Sequence, residues 1–131
     1  MDENLERKQE QALKEIGTLP NMNITIFGES YTAITQVSYL SQDFIKNLPI
    51  TVDMNDEGIN QKKGCTYVKF SGETVKAKSI TRGDILLYGE SCIVIATADF
   101  DGGGKYRKLG HINNMGDIPA GTQKVTISSV K

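Results

Sequence analysis

From Met22 onward the chain is written as short β-forming runs separated by clusters of turn residues. "MNITIF" alternates with period two and puts Met22, Ile24 and Ile26 on one face. "GES" and then "YTAIT" follow, which reads as a hairpin. Further strands are expected in "PITVDM", "CTYVKF", "DILLY", "CIVIATADF", "KYRKLGHI" and "QKVTISSV". "CIVIATADF" is nearly continuous in apolar residues, the pattern of a strand covered on both faces. "NDEGINQKKG", "SGETVKAKSITRGD" and "NNMGDIPAGT" are polar and read as connections. The tally is about eight strands, one after another with turn signals between them. The expectation is a mainly β protein, a closed β-barrel or a sandwich.

One short helix interrupts the strands. Val37, Leu40, Phe44 and Leu48 recur at helical spacing, Ser38 is placed to cap the N-terminus, and Pro49 blocks continuation. A second helix is expected over Met1 to Gly17, rich in Glu, Lys, Gln, Leu and Ala. Its apolar stripe, Leu5, Ala12 and Ile16, is thin, so it reads as solvated, and Gly17 and Pro20 end it. The chain thus divides into a charged helical extension, residues 1–20, and one β domain, residues 21–131. The glycosylation pattern Asn23-Ile24-Thr25 lies inside a strand and is discounted.

With 131 residues, 38% hydrophobic, the chain can bury a core without metal or disulfide support. Its 15 basic and 16 acidic residues give a net charge of -1, which does not suggest a nucleic-acid partner. No apolar run approaches the ~20 residues of a membrane-spanning helix. The N-terminal segment lacks the apolar core of a secretory leader, so cytoplasmic residence is expected for the chain as it stands. Export or lipid anchoring would need a leader outside it. Cys65 and Cys92 have no metal-ligand spacing. Cys92, in "SCIVIA", is expected to be a buried packing thiol; pairing with Cys65 would need neighbouring strands and is not expected.

"ADFDGGGKYRKLGHI" concentrates the features that could carry chemistry. A phosphate loop needs Ser or Thr after the lysine and a helix beyond it; Tyr106 and a strand pattern stand there instead. Asp99 and Asp101 begin like a calcium loop, but its closing ligands are missing. His111, the one histidine, has no nucleophile motif to serve. The glycines are best read as a tight turn between two strands. No metal, cofactor or catalytic set is assigned.

Leu48-Pro49, Gly83-Asp84-Ile85 with Tyr88, and Leu109-Gly110-His111-Ile112, in this order and spacing, resemble the bacterial cyclophilin-like fold proteins. The resemblance runs from about Asn21 to the end. It implies a small closed barrel of about eight strands capped by the short helix. It brings no activity with it. The prolyl isomerases that share the fold carry an arginine after Phe-His, a Gly-Gly-Asp-Phe stretch and a Gly-Ser-Gln-Phe stretch, and none occurs here. The expected function is binding of an unidentified peptide or small molecule, without catalysis. Tyr67, Tyr88 and Tyr106 would supply amphipathic surface and Arg107 and His111 polar anchors. The alternative is a divergent peptidyl-prolyl isomerase, with Arg82 or Arg107 donating toward the imide nitrogen.

Overall fold

The computed structural model describes residues 10, 11, 14–74 and 76–130. Of the expected N-terminal helix, residues 10, 11 and 14–16 are helical, and the rest of that expectation lies outside the described residues. The order is β1 (Met22–Ile26), β2 (Glu29–Thr35), α1 (Tyr39–Lys46), β3 (Ile50–Glu57), β4 (Gln61–Cys65), β5 (Lys76–Ile80), β6 (Asp84–Tyr88), β7 (Cys92–Ala96), β8 (Phe100–Ile112) and β9 (Gln123–Ser129).

Eight strands close into a ring, β2-β1-β9-β3-β4-β7-β6-β8, and β8 returns to β2. The ninth, β5, pairs with β8 outside the ring. All the pairings are antiparallel. The β1–β2 hairpin turns on Phe27 and Gly28, both at positive φ (54° and 79°), as a two-residue turn matched to strand twist demands. Met22, Ile24 and Ile26 are buried as their alternation predicts. Ile127 lies opposite Ile24 on one side and Ile50 on the other, so inward positions align across three strands. The ends of the ring-forming chain also meet, with the Val130 N–H donating to the Asn21 carbonyl at 2.8 Å.

Helix α1 presents Leu40 and Phe44 to the core, where the Phe44 and Phe70 rings lie 5.0 Å apart. Ser38 caps it as expected, its hydroxyl accepting from the Ser41 N–H at 2.9 Å. A second, smaller apolar cluster lies outside the ring: Ile80, Leu86, Val94 and Ala96, flanked by Ala77, Tyr88, Phe100 and Tyr106. Strands β6 and β7 are therefore covered on both faces, which explains their unbroken apolar sequence.

Four expectations need correction. The triple glycine is not a hairpin turn: β7 and β8 do not pair, and Gly102, Gly103 and Gly104 lie within the single strand β8. Ala77 faces Tyr106 while Ser79 faces Asp101, so four residues of β8, 102–105, stand opposite Lys78 alone. The positive φ of Gly103 (62°) and Gly104 (76°) serves this wide bulge. Second, strand β4 is "QKKGC", drawn from the supposed polar connection, and of "CTYVKF" only Cys65 is in a strand. Third, "KAKSI" forms β5 within the other supposed loop. Fourth, Cys65 and Cys92 are directly opposed on β4 and β7 and form a disulfide, so Cys92 is not a buried free thiol. Neighbouring strands make possible the bond that sequence spacing did not suggest.

Candidate functional site

The five expected site residues divide among three places. Tyr88 and Tyr106 are cross-strand partners on β6 and β8, with ring centroids 5.3 Å apart. Their face is the outer one, where Phe100 meets Tyr106 edge-on at 5.4 Å. The Tyr106 hydroxyl and the Gln61 amide exchange hydrogen bonds at 3.1–3.2 Å. The Lys63 ammonium stands 4.7 Å from the centre of the Tyr88 ring. Tyr106 is thus a packed and satisfied side chain, while Tyr88 is half-buried at an edge.

Arg107 faces Leu87 and Lys76 across the two ladders, one register position from the tyrosine pair and so on the opposite strand face. Its Nη2 donates to the Gly89 carbonyl at 2.7 Å. With Tyr88 it lines an open depression of about 470 Å³, completed by Lys76, Gly89, Glu90, Gly104 and Lys105. The β8 bulge supplies one wall, and the turn between β6 and β7 supplies another.

His111 sits at the far end of the β6–β8 ladder, opposite Asp84. Four residues of strand, about 13 Å, separate Asp84 from Tyr88, so histidine and tyrosines do not converge. Asp84 is buried, and one of its oxygens meets His111 Nδ1 at 2.7 Å and Lys108 Nζ at 3.4 Å. The other accepts the Thr81 N–H at 2.9 Å. This carboxylate orders the 81–84 turn and orients the imidazole. Gly83 and Gly110 explain their neighbours: a Cβ on Gly83 would come within 3.0 Å of the Ile112 carbonyl oxygen, and one on Gly110 within 2.6 Å of that of Ile34. Gly83-Asp84 and Gly110-His111 are therefore closure points of the ring. Among the described residues no cluster of three His, Cys, Asp or Glu could hold a metal.

Tyr67 lies elsewhere, fully exposed on the segment after β4. There the wall of the ring is incomplete. Strands β3 and β4 pair only over Asn55–Glu57 and Gln61–Lys63. Gly64 still lies close, since a Cβ there would fall 2.5 Å from the Asp53 carbonyl oxygen. Beyond it the chain turns away. Cys65 is bonded to Cys92, the Thr66 N–H donates to the Ser91 carbonyl, and the Phe70 N–H donates to that of Glu90. The segment therefore follows the β6–β7 hairpin. Among the described residues no strand pairs with β3 over residues 50–53 on this side. The resulting slot, about 430 Å³, is lined by Ile50, Thr51, Val52, Asp53, Cys65, Thr66, Tyr67 and Val68.

Sequence reasoning missed most of this slot, as well as Lys76 and Lys105 in the depression. Tyr67 was singled out as an aromatic, but its position beside an open strand edge depends on the register of β4. Arg82, the other candidate arginine, donates to the Met115 and Gly116 carbonyls at 2.8 and 2.7 Å.

No curated protein matches the chain. The solution structure of a hypothetical protein from Archaeoglobus fulgidus aligns with a TM-score of 0.67 at 16% identity, covering 88% of this chain and 98% of that one. At that identity the likeness concerns the fold alone. No described helix is long and apolar enough to cross a membrane. A model of the cyclophilin-like family matches residues 24–128, well over half of the sequence. The strand ring, the structural neighbour and this match agree, and the chain belongs to the cyclophilin-like family.

Proposed function

We propose that this protein is a peptide-binding module that takes an extended segment into the slot between β3 and residues 65–68. The observation that carries the reading is the unpaired edge of β3. Backbone N–H and C=O groups along a strand edge are satisfied by another extended chain, and such addition gives affinity through the main chain. Tyr67 stands at the lip, where a rigid amphipathic ring can cover a bound segment at low entropic cost. Residues 21–131 form the binding domain, with residues 1–20 as an extension. The Cys65–Cys92 disulfide suits an oxidising compartment, which favours export over cytoplasmic residence.

A nitrogen-15 titration with a library of extended peptides tests this. Shifts should cluster on residues 50–53 and 65–68, and Tyr67→Ala should weaken binding by about tenfold, the range of a moderate interface anchor. Peptides methylated at alternate backbone nitrogens should bind in only one of the two phasings. Shifts confined to other surfaces would overturn the reading. The isomerase alternative rests on Arg107, because both terminal nitrogens of Arg82 are committed to carbonyls. Exchange spectra on X-Pro peptides in the same titration are expected to show no acceleration.

A further inference from the structure

The depression at the β8 bulge holds positive charge that the fold does not neutralise. Lys76 and Arg107 are directly opposed across β5 and β8. Lys105, two positions before Arg107, lines the same depression. Like charges directly opposite on an antiparallel pair are destabilising, and here a third stands beside them. Elsewhere four lysines find acids, Lys62 with Asp56, Lys63 with Glu57, Lys69 with Glu90 and Lys108 with Asp84, and among the described residues the lysines that do not, Lys14, Lys46, Lys78 and Lys124, do not share the depression's lining. Among the described residues no salt bridge includes Lys76, Lys105 or Arg107. Among the described residues Glu90 is the only acid on the lining, and Lys69 competes for it at 3.8 Å.

The arrangement is also held in place. The Gly89 carbonyl accepts from Arg107 Nη2 and fixes the guanidinium plane, and among the described residues its other N–H groups have no partner. Gly104 brings bare backbone to the lining beside Lys105. Tyr88, whose ring packs on Tyr106, contributes another part of the wall. A planar fork flanked by two ammonium groups suits an anion with several charged oxygens.

We infer that this depression binds a phosphate-type anion, with Arg107 as the fork and Lys76 and Lys105 as flanking charges. The site is separate from the peptide slot, and either can fail without the other. The same chemistry is offered by the free anion and by a phosphoryl group on an aromatic body, which Tyr88 could face. Pyrophosphate, inorganic phosphate and phenyl phosphate serve as the three probes, titrated at low salt into the full chain, with chloride at matched ionic strength as reference.

Amide shifts should localise to residues 76, 88–90 and 104–107. Lys76→Gln and Lys105→Gln should each weaken binding by about three- to tenfold, and the double variant should abolish it. Lys124→Gln and Tyr67→Ala should leave it unchanged. Phenyl phosphate binding more tightly than inorganic phosphate assigns the natural ligand an aromatic body, and equal binding assigns the free anion. Melting separates a site from mere surface charge. Lys76→Gln should raise Tm without anion, by relieving the opposed pair, and should lose most of the Tm gain that pyrophosphate gives the parent chain. Absence of shifts at these residues, or equal pyrophosphate stabilisation of the parent and the double variant, would overturn the inference.

Discussion

Lys62 is the one lysine buried among the described residues, with 1% of its surface exposed. Its ammonium donates to an Asp56 oxygen at 2.7 Å and to the Gly121 carbonyl at 2.5 Å. Asp56 also accepts the Gly121 N–H at 2.7 Å. That backbone bond first, and the Lys62 ammonium second, hold the Asp56 carboxyl below its ordinary value of 3.8. The folded value lies below the unfolded one, so the contribution is fully present above about pH 4 and is lost as pH falls through the depressed value. Asp56→Asn should therefore destabilise at neutral pH, and its deficit against the parent chain should shrink by pH 3 in denaturant titrations. Lys62→Met should be far milder than Asp56→Asn, because it removes the buried charge instead of orphaning it. Gly64, two positions along, tolerates no side chain: Gly64→Ala meets the Asp53 carbonyl oxygen and Val52 and should cost about 1–3 kcal/mol by chemical denaturation. Neither residue announced itself in the sequence. A lysine and a glycine at successive inward positions look like loop, because the partners that make them strand residues lie on other elements.

The elements divide by the same logic. Strands β1, β6, β7 and β9 and helix α1 were legible because their own residues carry the apolar period. Strands β4 and β5, "QKKGC" and "KAKSI", carry almost none, and their neighbours' hydrogen bonds, the Cys65 disulfide, buried Lys62 and the single apolar Ile80 hold them. The triple glycine signals positive φ, but that conformation alone cannot separate a turn from a bulge in a strand of 13 residues. The same blindness scattered the site. Tyr88, Arg107, Tyr67 and His111 stand as equal candidates in the sequence, and only register puts Tyr88 and Arg107 on one depression and sends Tyr67 and His111 elsewhere. The disulfide was hidden for that reason too, and it has measurable weight. It closes a loop with a sequence separation of 27, so Cys92→Ser with Cys65→Ser should lose about 3 kcal/mol by denaturant titration. Releasing Cys65 also frees residues 66–68 to approach β3, so peptide binding in the slot should weaken in the same variant.

At the scale of the molecule, two seams are the shortest in the ring. Strands β2 and β8 share three residue pairs, as do β3 and β4. The first seam depends on close approach at Gly110, where a Cβ would come within 2.6 Å of the Ile34 carbonyl oxygen. Gly110→Val should lower Tm and strip hydrogen-exchange protection from β2 before β6 and β7, whose two covered faces place them among the last to open. Protection lost uniformly would mean that the ring opens only as a whole. The other meeting point is the Asn21–Val130 hydrogen bond, where the first and last strands lie side by side. A unit whose entrance and exit share a doorway can be grafted into a surface loop of a host protein without stretching either. Its strands can also be renumbered by joining those ends and cutting at the Phe27-Gly28 turn. The order of the elements along the chain is then a convenience of synthesis, and the circle of neighbours is the property that defines the fold.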